Sequence, residues 1–425
     1  MSYDLSMSGL SSDSTVLTFE EARRVVEDHA SQLKPMGAES VALLDAAERI
    51  LAESIVADRD IPPFPRSTRD GYAVRSADVQ QVPATLSFAG EIKAGEKAEA
   101  IPQIGEGQAV AIMTGAPVPV GADAVVMVEY TTRRGTQVEI ARRVAVGENV
   151  VPRGAEAAQD ATLITPGTRL TEAAIALAAS VGKSTLQVYH RPEVAVLTTG
   201  DEIVPIDSVP GPTQIRNSNS YSLAVQIKKA GGTPKLLPIA PDECNGLRQL
   251  IEQGLQSDLL LMTGGVSMGR YDLVEQVLSD LRAAFFFTGA RIQPGRPVVF
   301  GQCGSDAPVR EPRSTYFFGL PGNPVSTMVT FDLFVKPMLQ ALAGQSAEKL
   351  RFLHARLTKE IRTKTGLKRF LPAMLSGEFD NSEVELVRWQ GSGDIAATAR
   401  ANCYIVIAPD REVYAPGEWV PVMMR

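Results

Sequence analysis

The sequence predicts a multidomain chain of α/β plus β class, with a parallel-sheet domain between a β-rich middle domain and a compact, barrel-like C-terminal β domain. Three observations predict it. Buried-type strand runs alternate with helical segments only between about 192 and 342. Short β segments broken by glycine and proline fill the stretch from 61 to about 153, and strands return after 350. The 425 residues fit about three domains. The expected boundaries are a polar tail over 1–14, a helical linker domain from 15–60 and 153–190, a β-rich domain over 61–152, an α/β domain over 191–343 and a C-terminal β domain over 344–425.

The elements follow in order. Thr18 with Glu21 forms a capping box that opens a helix through Glu27, and a second helix is expected over Leu43–Ser54. Pro62-Pro63-Phe64-Pro65 then forbids helix or central strand. Val110–Met113 and Ala124–Glu129 read as strands, and Thr171 caps a helix over Glu172–Val181. Strands are expected at Val194–Thr198, Lys235–Ile239, Leu259–Met262, Val298–Phe300 and Tyr316–Phe318. Helices are expected at Ser218–Ala230, from Asp242 to Gln256, at Tyr271–Leu281 and from Asn323 to Leu342. Val384–Trp389, Tyr404–Ala408 and Glu418–Met423 complete the C-terminal β domain.

Composition excludes several functions. A formal charge of −7 argues against a general nucleic-acid binder, which needs a clustered basic surface. No apolar run approaches the ~20 residues of a membrane span, and Met1–Leu10 lacks a basic-then-apolar leader. Three scattered cysteines make neither a disulfide framework nor a metal motif, which points to the cytoplasm. Three histidines leave a multi-histidine metal centre without ligands.

Ligands of an open parallel sheet bind outside the carboxyl ends of its strands. Three loops leave strand ends here: Thr198-Thr199-Gly200-Asp201-Glu202, then Thr263-Gly264-Gly265-Val266-Ser267-Met268-Gly269 followed by Asp272, and Leu320-Pro321-Gly322-Asn323-Pro324-Val325-Ser326. Glycines admit a close anion, and helix N-termini attract phosphate. Carboxylates beside a phosphate cradle suit Mg²⁺. Singly, each loop reads as exposed charge or turn chemistry; three at one sheet edge favour a site. Asp242 reads equally as a helix N-cap or a ligand. The glycine run has neither a Walker ending nor GxGxxG spacing, and neither Ser267 nor Ser326 has a neighbouring histidine. On composition, Arg69-Asp70-Gly71-Tyr72 and Met113-Thr114-Gly115-Ala116-Pro117 read as turns.

Together, however, Asp70-Gly71-Tyr72-Ala73, Met113-Thr114-Gly115-Ala116-Pro117, Thr199-Gly200-Asp201-Glu202, Thr263-Gly264-Gly265-Val266-Ser267 and Gly319–Ser326 occur in the order found in one family. The chain resembles the MoeA-type molybdopterin molybdenumtransferases, related to the gephyrin E domain, over roughly residues 15–425. The resemblance implies a molybdopterin-binding α/β domain and a homodimer whose site joins the α/β and C-terminal domains of one subunit to the β-rich domain of the other. It implies that molybdenum from molybdate is placed on adenylylated molybdopterin with release of AMP and a need for Mg²⁺. Glu202, Asp242 and Asp272 would hold the ion, and Asp70 and Thr114 would complete the catalytic set from the partner subunit. Gly264, Gly265, Ser267, Pro321, Gly322, Asn323, Pro324 and Ser326 would bind the substrate.

One departure stands out. Where the family carries Lys-Pro-Gly-Lys-Pro around its oxyanion, this chain reads Gln293-Pro294-Gly295-Arg296-Pro297, so Arg296 and Pro297 keep the motif while Gln293 loses a charge. Arg69, in place of the usual Met, is a candidate compensation. Arg369 and Ser392 are candidate oxyanion contacts or solvated β surface. The resemblance further implies contact with other molybdenum cofactor biosynthesis proteins and apo-molybdoenzymes, while the charge balance and apolar pattern give no expectation of a nucleic-acid or membrane partner. Two rivals are a molybdopterin adenylyltransferase, disfavoured by the Asp70 and Thr114 motifs, and a non-catalytic pterin-binding scaffold, disfavoured by the retained acids.

Overall fold

In the computed structural model, which describes residues 15–95, 97, 101–264, 273–304, 314–346 and 348–425, helix α1 (Phe19–Ser31) starts at its predicted capping box. The Glu21 N–H donates to Thr18 Oγ1, and the Thr18 N–H donates to Glu21 Oε2 at 2.9 Å. Phe19, Ala22 and Val26 are buried among Phe287, Phe334 and Phe370, so α1 packs on the distant α/β and C-terminal domains. His29 stacks on Phe286 at 4.0 Å between ring centroids, and its Nδ1 lies 3.1 Å from the Tyr316 hydroxyl.

The helix expected over Leu43–Ser54 is not formed. Ala38–Ala42 pairs antiparallel with Thr185–Tyr189, only a 3₁₀ turn covers Leu43–Ala46, and Glu48 takes a φ of 63°. Leu51 bridges to Val188, so strand partners, rather than a helix face, bury the apolar positions. Ile55–Val56 with Thr162–Ile164 and Arg66–Ser67 with Val150–Val151 continue this antiparallel ribbon. Helix α2 (Glu172–Ser180), capped by Thr171 as predicted, contributes Ala178 to the ribbon's core.

At the ribbon's end lies the β-rich domain. Strands β1 (Gly71–Val74), β2 (Ala84–Ile92), β3 (Gln108–Ile112), β4 (Ala124–Met127), β5 (Thr131–Arg134) and β6 (Gln137–Ile140) form one sheet, ordered β4-β1-β3-β2-β6-β5. Alternate residues feed two separate cores, Tyr72 and Val74 on one face and Ala73, Val110 and Val125 on the other.

In the α/β domain, β7 (Glu193–Thr198), β8 (Thr233–Leu236), β9 (Leu259–Thr263), β10 (Ala284–Phe287), β12 (Val299–Cys303) and β13 (Thr315–Leu320) make a sheet ordered β8-β7-β9-β13-β12-β10; the short β11 (Ile292–Gln293) lies outside it. The wholly parallel sheet is corrected to a mixed one. The first four strands are parallel, but β12 runs antiparallel to both neighbours. Residues 304–314 between β12 and β13 are fewer than the dozen or so a parallel crossover needs. Helices α3 (Asn219–Lys229), α6 (Pro324–Thr330) and α7 (Lys336–Leu342) cover one face, while α4 (Cys244–Gly254) and α5 (Leu273–Asp280) cover the other. A π turn, Phe331–Val335, joins α6 to α7 within the predicted long helix.

The C-terminal strands β14 (Phe352–Leu357), β15 (Lys368–Ser376), β16 (Glu383–Leu386), β17 (Cys403–Ile407) and β18 (Trp419–Met424) close into a five-stranded barrel, ordered β15-β16-β14-β18-β17 and back to β15. Strand β11 adds to β15 in parallel, tying the barrel to the α/β domain.

Candidate active site

The sheet's winding reverses at β7, because α3 leads from it to β8 on one side and α4 returns the chain to β9 on the other. That is the place where an open α/β sheet binds ligands. Here the backbones crowd together. The Thr199 N–H donates to Thr263 O at 3.0 Å. Gly264 has a φ of 88°, and a Cβ on it would lie 2.3 Å from Thr199 O. A Cβ on Gly322 would come within 3.5 Å of Gly264 Cα, so the second and third predicted loops do meet. Gly265, Ser267 and Asp272 lie outside the described residues.

Asp242 lies near the acids of the first loop, with one correction to its expected role. Asp242 does not cap α4, whose N-cap is Glu243; instead the Asp242 N–H donates to Asp201 Oδ1 at 3.2 Å. Burial, reinforced by the charges of Asp201 and Glu202, pushes the Asp242 carboxyl above its usual range. Glu202 folds back over Gly200, where a Cβ would meet its Oε2 at 2.6 Å. An open groove of about 550 Å³ continues from Gly200 and Asp201 along Tyr221 and Pro241. Among the described residues no three His, Cys, Asp or Glu side chains form a ready metal cage.

In the third loop, Pro321 O accepts from Thr327 Oγ1 at 2.5 Å and Asn323 O from the Thr327 N–H at 3.0 Å. Pro324 occupies the first turn of α6, and Ser326 is buried behind it. One amide of this turn is already engaged. The Val325 N–H donates to Ser392 O at 3.0 Å, so Ser392 reaches the loop through its backbone carbonyl.

Arg369 is no solvated surface residue. It is buried on β15, beside Gln293 in the β11–β15 pairing, and its Nε donates to Gln293 Oε1 at 2.7 Å. Burial lowers its pKa. The Gln293–Pro297 turn packs on α6, where a Cβ on Gly295 would strike Thr330 Cγ2 at 2.4 Å. Arg296 is exposed, and its guanidinium has no partner among the described residues. In the β-rich domain, the Thr114 N–H and Oγ1 both donate to Asp70 Oδ1, at 2.7 and 3.0 Å. The backbone bond, then the hydroxyl bond, holds Asp70 below the usual carboxylate range. Both donors fall on Oδ1.

Sequence reasoning missed the polar start of α3. Ser218 occupies the N-cap position but makes no side-chain cap bond; Asn217 Oδ1 accepts from the Ser220 N–H at 3.1 Å instead. Thr198 Oγ1 lies 2.8 Å from Ser220 Oγ, and Asn219 reaches both other loops. The run Asn217-Ser218-Asn219-Ser220 was the available signal: four small polar residues entering an amphipathic helix.

The fold and these strand-end loops define a multidomain α/β protein whose candidate site lies at the switch point of its central sheet. Residues 17–182 match the MoeA N-terminal region (domain I and II), 195–341 a probable molybdopterin binding domain, and 354–424 the MoeA C-terminal region (domain IV). A Bacillus subtilis protein named molybdopterin molybdenumtransferase is 33% identical over 91% of this chain and 89% of its own. A Haemophilus influenzae protein of the same name is 32% identical over 96% and 98%. The crystal structure of a molybdopterin biosynthesis moeA protein from Pyrococcus horikoshii OT3 superposes with a TM-score of 0.77 at 28% identity, covering 96% of this chain and all of that one. The chain belongs to the MoeA family of molybdopterin molybdenumtransferases, transferases of molybdenum cofactor biosynthesis.

Proposed function

We propose that this chain takes molybdenum from molybdate onto the dithiolene sulfurs of adenylylated molybdopterin, with cleavage of the phosphoanhydride and release of AMP. The observation that carries this reading is the contact of the Gly264 and Gly322 backbones beside a carboxylate cluster, as a phosphoanhydride requires. Gly264 and Gly265 would line the phosphates. Arg296, with Arg369 behind Gln293, would supply the positive donors for the oxyanion. Asp70, kept ionised by Thr114, would present an anionic acceptor from the second subunit of a homodimer.

Mg²⁺ fits the donor chemistry: the cluster offers only oxygens, and this ion is commonly held by one or two carboxylates plus substrate phosphates. Glu202 and Asp242, with Asp272, would hold it. When bound, it would offset negative charge on the anhydride. We place the reaction in the cytoplasm, upstream of the apo-molybdoenzymes; no helix among the described residues is long and apolar enough to cross a membrane.

The test mixes the protein with adenylylated molybdopterin, Mg²⁺ and molybdate and follows AMP. AMP release that requires molybdate and Mg²⁺ is the expected result. Synthesis of adenylylated molybdopterin from ATP would make it an adenylyltransferase, and binding without either reaction would make it a scaffold.

A further inference from the structure

The parallel ladder holds β7, β9 and β13 in register only as far as Thr198, Thr263 and Leu320. Beyond those rungs the loops need other ties, and one side chain spans two of them. Asn219, in the first turn of α3, donates through Nδ2 to Thr263 Oγ1 at 2.9 Å and to Gly322 O at 2.7 Å. Thr263 Oγ1 in turn donates to Pro321 O at 3.3 Å. Asn219 is itself held, because its neighbours Asn217 and Ser220 are bonded to each other and to Thr198 at the end of β7.

Two further observations mark this as more than packing. Among the described residues, Asn219 Oδ1 and Thr199 Oγ1 are buried without a hydrogen-bond partner, which native proteins rarely tolerate. The Asn219 amide is therefore oriented by its donor side alone, toward the loops. The loops it joins also run close to the first one and to each other, since Gly264 has no room for a Cβ beside Thr199 O and a Cβ on Gly322 would come into ordinary contact with Gly264 Cα at 3.5 Å. A small shift of either loop would change the opening offered to a bound phosphate.

We propose that Asn219 is a positioning residue of the transfer reaction, clamping the Gly264 loop to the Gly322 loop through Thr263 Oγ1 and Gly322 O. This rests on the function proposed above. The clamp acts on the adenylylated pterin. The molybdate side, the Gln293–Pro297 turn, is held separately by the β11–β15 pairing and Arg369. The displaced loops should misalign the anhydride, and misplacements near 1 Å cost up to about a hundredfold in rate.

The experiment compares wild type with Asn219→Ala, Thr263→Val, Thr263→Ser and the Asn219→Ala/Thr263→Val double variant, measuring kcat, the KM of each substrate and the melting temperature. Asn219→Ala is expected to raise KM for adenylylated molybdopterin about tenfold and lower kcat at least tenfold. Its KM for molybdate should stay within about twofold of wild type. Thr263→Val should behave alike, Thr263→Ser should keep near-normal kinetics, and the double variant should be no worse than the singles, as one shared device requires.

Several results would overturn the role: wild-type kinetics in Asn219→Ala, an equal rise in both KM values, multiplying defects in the double variant, or losses matched by the unfolded fraction alone. Should Asn219→Ala fail to fold, the contrast of Thr263→Val with Thr263→Ser decides by itself. A wild-type protein that releases no AMP would refute the function and this role with it, whereas wild-type turnover with unaffected variants refutes the clamp only.

Discussion

Gln293 occupies the position where the family resemblance places a lysine, and it is not idle there: Arg369 Nε donates to its Oε1 at 2.7 Å. Replacing it by lysine exchanges that bond for a second cation beside a buried guanidinium. Gln293→Lys is therefore expected to lower the molybdate concentration for half-maximal AMP release by up to about tenfold, while costing about 1 kcal/mol of stability for the lost bond. Kinetics and thermal melting on one preparation check both halves. Arg296 differs, being exposed and without a partner among the described residues, so Arg296→Ala should leave the melting temperature unchanged and weaken molybdate use by more than about tenfold. At the carboxylates, Glu202→Gln keeps shape and removes charge. A fall in turnover of about a hundredfold with unchanged folding is expected, the scale of one lost electrostatic contact in a transition state. Near-normal AMP release with an unchanged Mg²⁺ requirement would remove Glu202 from the site.

Helix α1 shows how a local signal and a distant contact combine. Its start was legible because a capping box is written in four residues, Thr18 to Glu21. Its docking was not, since His29 meets Phe286 and Tyr316 more than 250 positions away. Burial lowers the His29 pKa, so the neutral ring is favoured in the folded protein. Stability from this contact is complete above the ordinary histidine pKa of about 6.5 and falls as acid protonates the unfolded chain first. It levels off once the folded ring also protonates. Melting from pH 8 to 5 should show this loss in wild type and a smaller one in His29→Phe; identical slopes would discard it. The same division explains the site. The meeting of the Gly264 and Gly322 loops was readable because strand-end loops carry their chemistry in short runs. The Gln293–Arg369 pair was not, since nothing local announces a bond across 76 positions. The missing helix over Leu43–Ser54 failed for that reason too: its apolar spacing suits a helix, but Leu51 bridges instead to Val188, more than 130 positions away.

At the scale of the whole molecule, the shared site proposed above makes a strong demand on this chain. Asp70 and Glu202 would serve one reaction from different subunits, so variants that are each inactive should rescue one another. Asp70→Ala mixed with Glu202→Gln and allowed to exchange subunits is expected to recover about a quarter of wild-type turnover, because half the dimers would be mixed and each would hold one intact site. No recovery after verified exchange, or a monomer at micromolar concentration in sedimentation, would place both residues in separate roles.

The pairing of Arg66–Ser67 with Val150–Val151 brings the entry and exit of the β-rich domain side by side. Everything between them is a detour: the chain leaves the ribbon, completes a six-stranded sheet with its own two cores, and returns to the point of departure. A module with adjacent ends can be excised or exchanged at little topological cost. Residues 64–152 should accordingly fold as an isolated cassette with dispersed amide resonances, and the remaining chain should close over a short glycine linker and keep its α/β sheet. Evolution could then retune the surface of this module without disturbing the α/β crevice.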